Sequence, residues 1–174
     1  YIGELAAQVV AAQPTIMDLP DDEQLIAFRE AGYELQIRQQ QETLNTFHTY
    51  FDTWFSERSL HADGGVERAL EKLREQGHVY EEDGAVWLRT TDFDDDKDRV
   101  LVKANGELTY FASDCAYYVN KRDRGFDTNL YLLGADHHGY VNRLRAVAAC
   151  AGDDPEETIE VLIGQLVKTM RDGK

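Results

Sequence analysis

A chain of 174 residues, 43% apolar, is long enough for one domain with a real core, which excludes a disordered tail or a small disulfide-stapled scaffold. It has no apolar run near the roughly 18–20 residues that cross a bilayer, and Tyr1-Ile2-Gly3-Glu4 has neither a basic leader nor a cleavage pattern, so a cytoplasmic protein with no membrane partner is expected. Thirty-three Asp and Glu against eighteen Lys and Arg give a formal charge of −15; such a surface repels phosphate, and the chain alone is not expected to bind nucleic acid.

Ile2 to Gln13 is alanine-rich, carries Leu5, Val9 and Val10 at helical spacing, and is closed by Pro14, which predicts a short helix. Leu19-Pro20-Asp21-Asp22-Glu23 then sets a proline and acids ahead of a longer helix reaching about Thr46, because acids in a first turn complement the helix dipole. Its polar Gln39-Gln40-Gln41 stretch predicts partial exposure. Phe47 to Phe55 alternates and is rich in aromatics, the pattern of a strand. Asp63 is the expected cap of a helix with Val66, Ala69, Leu70 and Leu73 on one face and Gly77 as its stop.

Two hairpins are expected next: His78–Glu81 with Ala85–Arg89 around Asp83-Gly84, and Val100–Lys103 with Glu107–Tyr110 around Asn105-Gly106. From Phe111 the period is helical, with Ala112, Cys115, Ala116 and Val119 inward and Gly125 as terminator. A strand at Asn129–Leu133, a helix marked by Val141, Leu144, Val147 and Ala148, and a last buried strand over Thr158–Val167 complete the order. Helix, strand, helix, strand predicts an α/β fold: a parallel doubly wound sheet preceded by a β-hairpin insertion and N-terminal helices. Cys115 and Cys150 lie far apart within helical patterns and are expected as small buried thiols. The chain starts without Met inside a helical pattern and stops soon after a strand-like run, so it is expected to be a piece of something longer.

The residues that carry chemistry cluster in Gly134-Ala135-Asp136-His137-His138-Gly139-Tyr140, directly after the apolar run Asn129–Leu133. A strand-to-helix turn at the end of a parallel sheet is where α/β folds hold ligands, and the following helix offers free N–H groups to an anion. The bland alternative is a glycine turn in which one histidine caps the helix and the other is exposed. Asp136-His137-His138 also resembles the triplet of Asp-His-His metal phosphoesterases, but the upstream ligands of that family are missing: His48 and Asp52 are followed by Trp54 where a second Asp is needed. No metal site is assigned. Asp92-x-Asp94-x-Asp96-x-Asp98 mimics half a calcium loop, yet Lys97 stands where Gly is required and Lys103 where Glu is required; a solvated connection between hairpins is expected instead.

Tyr110 and Asp114 share a face if Tyr110 is already helical; they either hydrogen-bond each other or form one wall of a pocket for a guanidinium, a planar cation that matches carboxylates bidentately. Glu57 adds a second carboxylate to such a pocket unless neighbouring Arg58 occupies it. Without further help these residues fit a stand-alone binding module for a cationic amino acid as well as an enzyme.

Phe51-Asp52-Thr53-Trp54-Phe55-Ser56-Glu57, Gly84-Ala85-Val86-Trp87-Leu88, Asp98-Arg99-Val100-Leu101-Val102-Lys103, Thr109-Tyr110-Phe111-Ala112-Ser113-Asp114 and Gly134 through Tyr140, in that order, resemble the catalytic core of arginyl-tRNA synthetases. The resemblance implies a partial Rossmann-like doubly wound sheet, the second half of a class I synthetase catalytic core. Residues 1–48 would be a helical connecting segment and 49–174 the catalytic part, with the hairpin insertion over about 78–110. It implies an aminoacyl-tRNA ligase as parent, using arginine, ATP, magnesium and tRNA(Arg) in protein biosynthesis. Glu57, Tyr110, Asp114 and His137 would take arginine, while Gly134, Asp136 and His138, with Gln165 and Val167 in the last strand, would lie near ATP. The His-x-Gly-His and Lys-Met-Ser-Lys motifs that such enzymes use are absent from these residues, so no catalytic residue is assigned and the isolated chain is expected to be inactive, with no tightly bound cofactor.

Overall fold

The computed structural model describes residues 1–168 and Met170; the terminal residues Thr169 and 171–174 lie outside the described residues. The chain divides into two compact units, Tyr1–Trp54 and Phe55–Lys174.

The first unit is helical. Helix α1, Ile2–Ala12, buries Val9, and a short 3-10 turn, Pro14–Asp18, buries Ile16. Helix α2, Asp21–Thr46, starts after Pro20 with Asp21, Asp22 and Glu23 in its first turn, as the sequence predicts, and buries none of its side chains fully. The strand expected over Phe47–Phe55 does not form. The helix instead closes in a Schellman turn: the His48 N–H donates to the Asn45 carbonyl and the Thr49 N–H to the Leu44 carbonyl, both at 2.9 Å, with His48 in the left-handed region at φ 56°. A strand needs a partner, and among the described residues no ladder reaches this segment, so Phe47, Tyr50 and Phe51 stay exposed.

The second unit holds the sheet elements. Helix α3, Glu57–Ala62, is followed by α4, Gly65–Glu75, whose inner face is Val66, Ala69, Leu70 and Leu73. Asp63 does not cap α4; Gly64 does, in the left-handed conformation at φ 67°, and the tighter chain reversal between two helices explains why. Strands β1, Val79–Glu82, and β2, Ala85–Leu88, join through Asp83 and Gly84, both at positive φ as a two-residue type I′ turn requires. Strand β3, Arg99–Val102, pairs antiparallel with β2, giving one three-stranded sheet. Its own expected hairpin partner is reduced to a single bridge, Val102 with Leu108. Thr109 ends it: its hydroxyl donates to the Val100 carbonyl at 2.7 Å and accepts the Ala112 N–H at 3.2 Å, so it is already the cap of helix α5, Tyr110–Asp123.

The acidic connection is not simply solvated. Thr90 is fully buried in a 3-10 turn, Thr90–Phe93; Asp95 accepts two 2.8 Å hydrogen bonds from Arg99, and Asp98 accepts from Thr91 and from the Tyr80 hydroxyl. Beyond α5 come β4, Asn129–Gly134, a 3-10 turn, Ala135–Tyr140, helix α6, Val141–Cys150, helix α7, Pro155–Thr158, and β5, Ile159–Gly164. Strands β4 and β5 pair in parallel from Asn129↔Ile159 to Gly134↔Gly164, the crossover unit the element order predicts. β5 is half-exposed rather than buried and stops at Gly164, so Gln165 and Val167 fall past the strand.

The core sits among α4, α5, α6 and the three-stranded sheet, with Leu73, Leu88, Leu101, Tyr118 and Val147 essentially sealed. Cys115 and Cys150 are free, fully buried thiols, and burial pushes both upward in pKa, Cys150 to about 12. A polar clasp ties α5 to the chain after α6: Asp153 accepts from the Tyr118 hydroxyl at 2.6 Å and from Arg122 Nε at 3.0 Å.

Candidate functional site

The parallel pair ends with two glycines side by side, Gly134 on β4 and Gly164 on β5. This clears the carboxyl ends of the strands, the place where open α/β sheets leave a crevice. A Cβ at Gly134 would come within 2.6 Å of Asp136 Oδ1, so the glycine lets that carboxylate fold back over the strand end. Asp136, His137 and His138 are all exposed in the turn; His137 Nε2 lies 3.5 Å from Asp136 Oδ2, and neither histidine caps α6. Among the described residues no three His, Cys, Asp or Glu side chains gather into a metal-holding group.

On the neighbouring face, α3 presents Glu57 in its first turn and α5 presents Tyr110 in its first turn. Both line one open cleft of about 560 Å³, together with His61, Lys103, Thr109 and Ser113. Tyr110 is 91% exposed and therefore presents its phenol rather than burying it. Asp114 lies one turn further along α5, on the same face because Tyr110 is indeed helical. It does not pair with Tyr110. Its Oδ2 accepts instead from the Tyr140 hydroxyl at 2.7 Å, so the phenol that holds it comes from the end of the glycine turn.

Burial pushes the Asp114 carboxyl above its ordinary pKa, and the nearby Glu57 charge pushes the same way, while the Tyr140 hydrogen bond and the Arg143 and Lys121 charges oppose them. Burial and donation to Asp114 likewise raise the Tyr140 phenol. The Arg143 guanidinium stacks 4.3 Å from the Tyr140 ring, and His137 meets the same ring edge-on at 6.4 Å. A partly desolvated carboxylate beside a second carboxylate is an arrangement that gains by taking up a cation.

The structure thus brings Glu57 and Tyr110 into one cleft, sets Asp114 beside Glu57 electrostatically, and links Asp114 through Tyr140 to the His137 turn. Gln165 and Val167 stand apart from these contacts, exposed in irregular chain after β5. Sequence reasoning assigned no role to Tyr140, although it closes the quoted motif, nor to Gly164. The signal for Gly164 was present: both parallel strands end in two large aliphatic residues and a glycine, Leu132-Leu133-Gly134 and Leu162-Ile163-Gly164.

Residues 13–167 match the family model described as the catalytic domain of class I (R) tRNA synthetases. Among curated proteins, an arginine–tRNA ligase of Renibacterium salmoninarum is 60% identical over 96% of this chain, and one of Micrococcus luteus is 56% identical over the same share. The chain spans 30% of the length of each. Among solved structures, a putative arginyl-tRNA synthetase of Campylobacter jejuni superposes with TM-score 0.87 at 29% identity, over 100% of this chain and 38% of that one. The arginyl-tRNA synthetase of Thermus thermophilus, at 19% identity and TM-score 0.58 over 87% of this chain and 34% of its own, shares the fold. The parallel crossover ending in paired glycines and these matches lead to one conclusion: the chain belongs to the arginyl family of class I tRNA synthetases, within the catalytic domain.

Proposed function

We propose that this chain is the second part of the catalytic core of an arginine–tRNA ligase and carries the wall of its arginine pocket. The observation that carries this is the grouping of Glu57 and Tyr110 on one cleft with Asp114 one helical turn away, its carboxylate steadied by Tyr140. Two carboxylates and a phenol suit a flat cation with five donors and no acceptor. His137, beside Tyr140, would face the backbone end of the amino acid, and Gly134, Asp136 and His138 would border ATP at the strand ends, with Gln165 and Val167 further along the chain. Residues 1–48 then form the helical connecting segment and 49–174 the catalytic part.

In the parent reaction the arginine carboxylate attacks the α-phosphorus of ATP and expels pyrophosphate; a terminal hydroxyl of tRNA(Arg) then attacks the arginyl carbonyl and AMP leaves. Glu57, Tyr110 and Asp114 act by holding the far end of the substrate, so that its carboxylate is presented to the phosphate at fixed geometry. Magnesium belongs to the parent reaction, and no residue of this chain is assigned to it. The charge that develops on the phosphates requires donors of the His-x-Gly-His and Lys-Met-Ser-Lys type, which this chain does not contain, so the isolated chain performs no pyrophosphate exchange. Exchange proportional to the amount of purified chain would overturn that silence. The parent is expected in the cytoplasm, and the acidic chain alone does not bind tRNA measurably.

Asp114→Asn in the parent enzyme tests the pocket. A neutral amide cannot balance a desolvated guanidinium, and losing one partner of such a pair is worth roughly 3–5 kcal/mol, so the arginine KM should rise about a hundredfold or more. An arginine KM that does not move removes Asp114 from the pocket.

A further inference from the structure

Lys121 lies two turns beyond Asp114 on the same face of α5, half-buried, and makes no ion pair among the described residues. Its ammonium is held between two aromatic faces: 4.1 Å from the Tyr117 ring on its own helix and 3.9 Å from the Tyr131 ring on β4. The Tyr117 ring is in turn stacked on Phe55 at 4.6 Å and 11°, two residues before Glu57. Three segments that bear the proposed site therefore meet on one lysine: the approach to Glu57, the helix of Asp114 and the strand that leads to Gly134.

The choice of rings over a carboxylate has an electrostatic consequence. A carboxylate would stabilise the ammonium and cancel its field at the same time, whereas an aromatic quadrupole stabilises the cation and leaves its net charge intact. We propose that Lys121, caged between Tyr117 and Tyr131, is a positioning residue of the amino-acid pocket: it supplies the uncancelled positive charge that keeps the Asp114 carboxylate available for a cationic substrate group. The charges around the cage agree. Asp114 attracts Lys121, while Arg124, one turn further on, repels it. Burial, with that repulsion, lowers the Lys121 ammonium to a pKa of about 8, so it is held charged at neutral pH only by a narrow margin. At Asp114 the Lys121 and Arg143 charges counter the upward push of burial and of Glu57.

This inference rests on the arginine pocket proposed above, and its test separates the two. In the full-length parent enzyme, Lys121→Met removes the charge and keeps an unbranched side chain one atom shorter, while Lys121→Arg keeps a cation between the rings. Lys121→Met should raise the arginine KM about tenfold, the size of a lost cation–π or partly buried charge contact, and leave the ATP KM within about twofold. Lys121→Arg should restore most of the arginine affinity. Where Met is not tolerated in the fold, Lys121→Gln serves the same comparison. An arginine KM unchanged in the neutral variant, an equal loss for arginine and ATP, or no rescue by Arg overturns the role of Lys121. With Asp114→Asn measured alongside, the failures are distinct: if Asp114→Asn also leaves arginine binding untouched, the pocket itself falls; if it weakens arginine while Lys121→Met does not, only the present inference falls.

Discussion

Asp95 keeps only 3% of its side chain exposed, yet it sits in the most acidic run of the chain. Burial pushes its carboxyl upward, but the paired hydrogen bonds from Arg99 outweigh it and hold the group at about 2. A folded-state pKa below the unfolded one stabilises the fold above the ordinary carboxylate value, and that contribution fades as pH falls through the folded value. For Asp95 the window runs from about pH 4 down to about pH 2, and the amount at neutral pH is about 2 kcal/mol. Urea titrations of the chain and of Asp95→Asn should therefore differ most near neutrality, the gap closing by about 2 kcal/mol on going to about pH 2. A gap that stays constant with pH would place the stabilising charge elsewhere. Asp94, beside it, is exposed and held at φ 63°, so one acidic run contains both a structural anchor and a solvated turn residue. Residue type and spacing do not separate them, because the partner that decides, Arg99, is reached only when the loop folds back.

At the level of elements, pairing was readable where a tight turn or a crossover dictates it, and not where the partner has to come from elsewhere in the chain. Asp83-Gly84 forms the expected turn because both positive φ values are intrinsic to those two residues. Phe47–Phe55 alternates like a strand, yet strand formation depends on a second chain segment to accept its hydrogen bonds, which the pattern cannot supply. The proposed site divides in the same way. Glu57, Tyr110, Asp114 and the Gly134–Tyr140 turn were visible as residues of suitable chemistry, whereas the Tyr140–Asp114 hydrogen bond spans 26 positions and is a property of the tertiary fold alone. Two predictions belong here. His48 terminates α2 in a left-handed conformation that costs a side chain roughly 1–2 kcal/mol, while glycine adds roughly 0.4–1 kcal/mol of unfolded-chain entropy, so His48→Gly should raise stability by at most about 1 kcal/mol in thermal unfolding; a drop in Tm would mean that the imidazole, whose Nδ1 lies 3.3 Å from the Tyr50 hydroxyl, contributes more than the strain costs. Tyr118→Phe keeps the buried ring and removes its donation to Asp153, and should cost about 1–2 kcal/mol in denaturant unfolding with no change in the denaturant slope.

For the whole molecule, the division at residues 54 and 55 sets a long, mostly exposed helix apart from a compact α/β unit that carries every residue of the proposed site. The formal charge of −15 on this chain would favour a cationic substrate of the proposed pocket over anions on approach. Such attraction is screened by salt, so the association of arginine with the parent should slow as ionic strength rises from about 0.01 M to about 0.15 M. Stopped-flow binding across that range checks it, and a salt-independent rate would assign the capture to contacts within the pocket alone.

The two-stranded parallel sheet turns Leu130, Leu132 and Leu162 to solvent and leaves its outer backbone edges open among the described residues. Bare aliphatic surface next to unsatisfied edges is the ordinary seed of aggregation. When the chain is produced by itself, its solubility is therefore set by a contest between mutual repulsion of acidic surfaces and stickiness of this one leucine face; high salt, by weakening the repulsion, should precipitate it, and Leu132→Lys should keep it in solution.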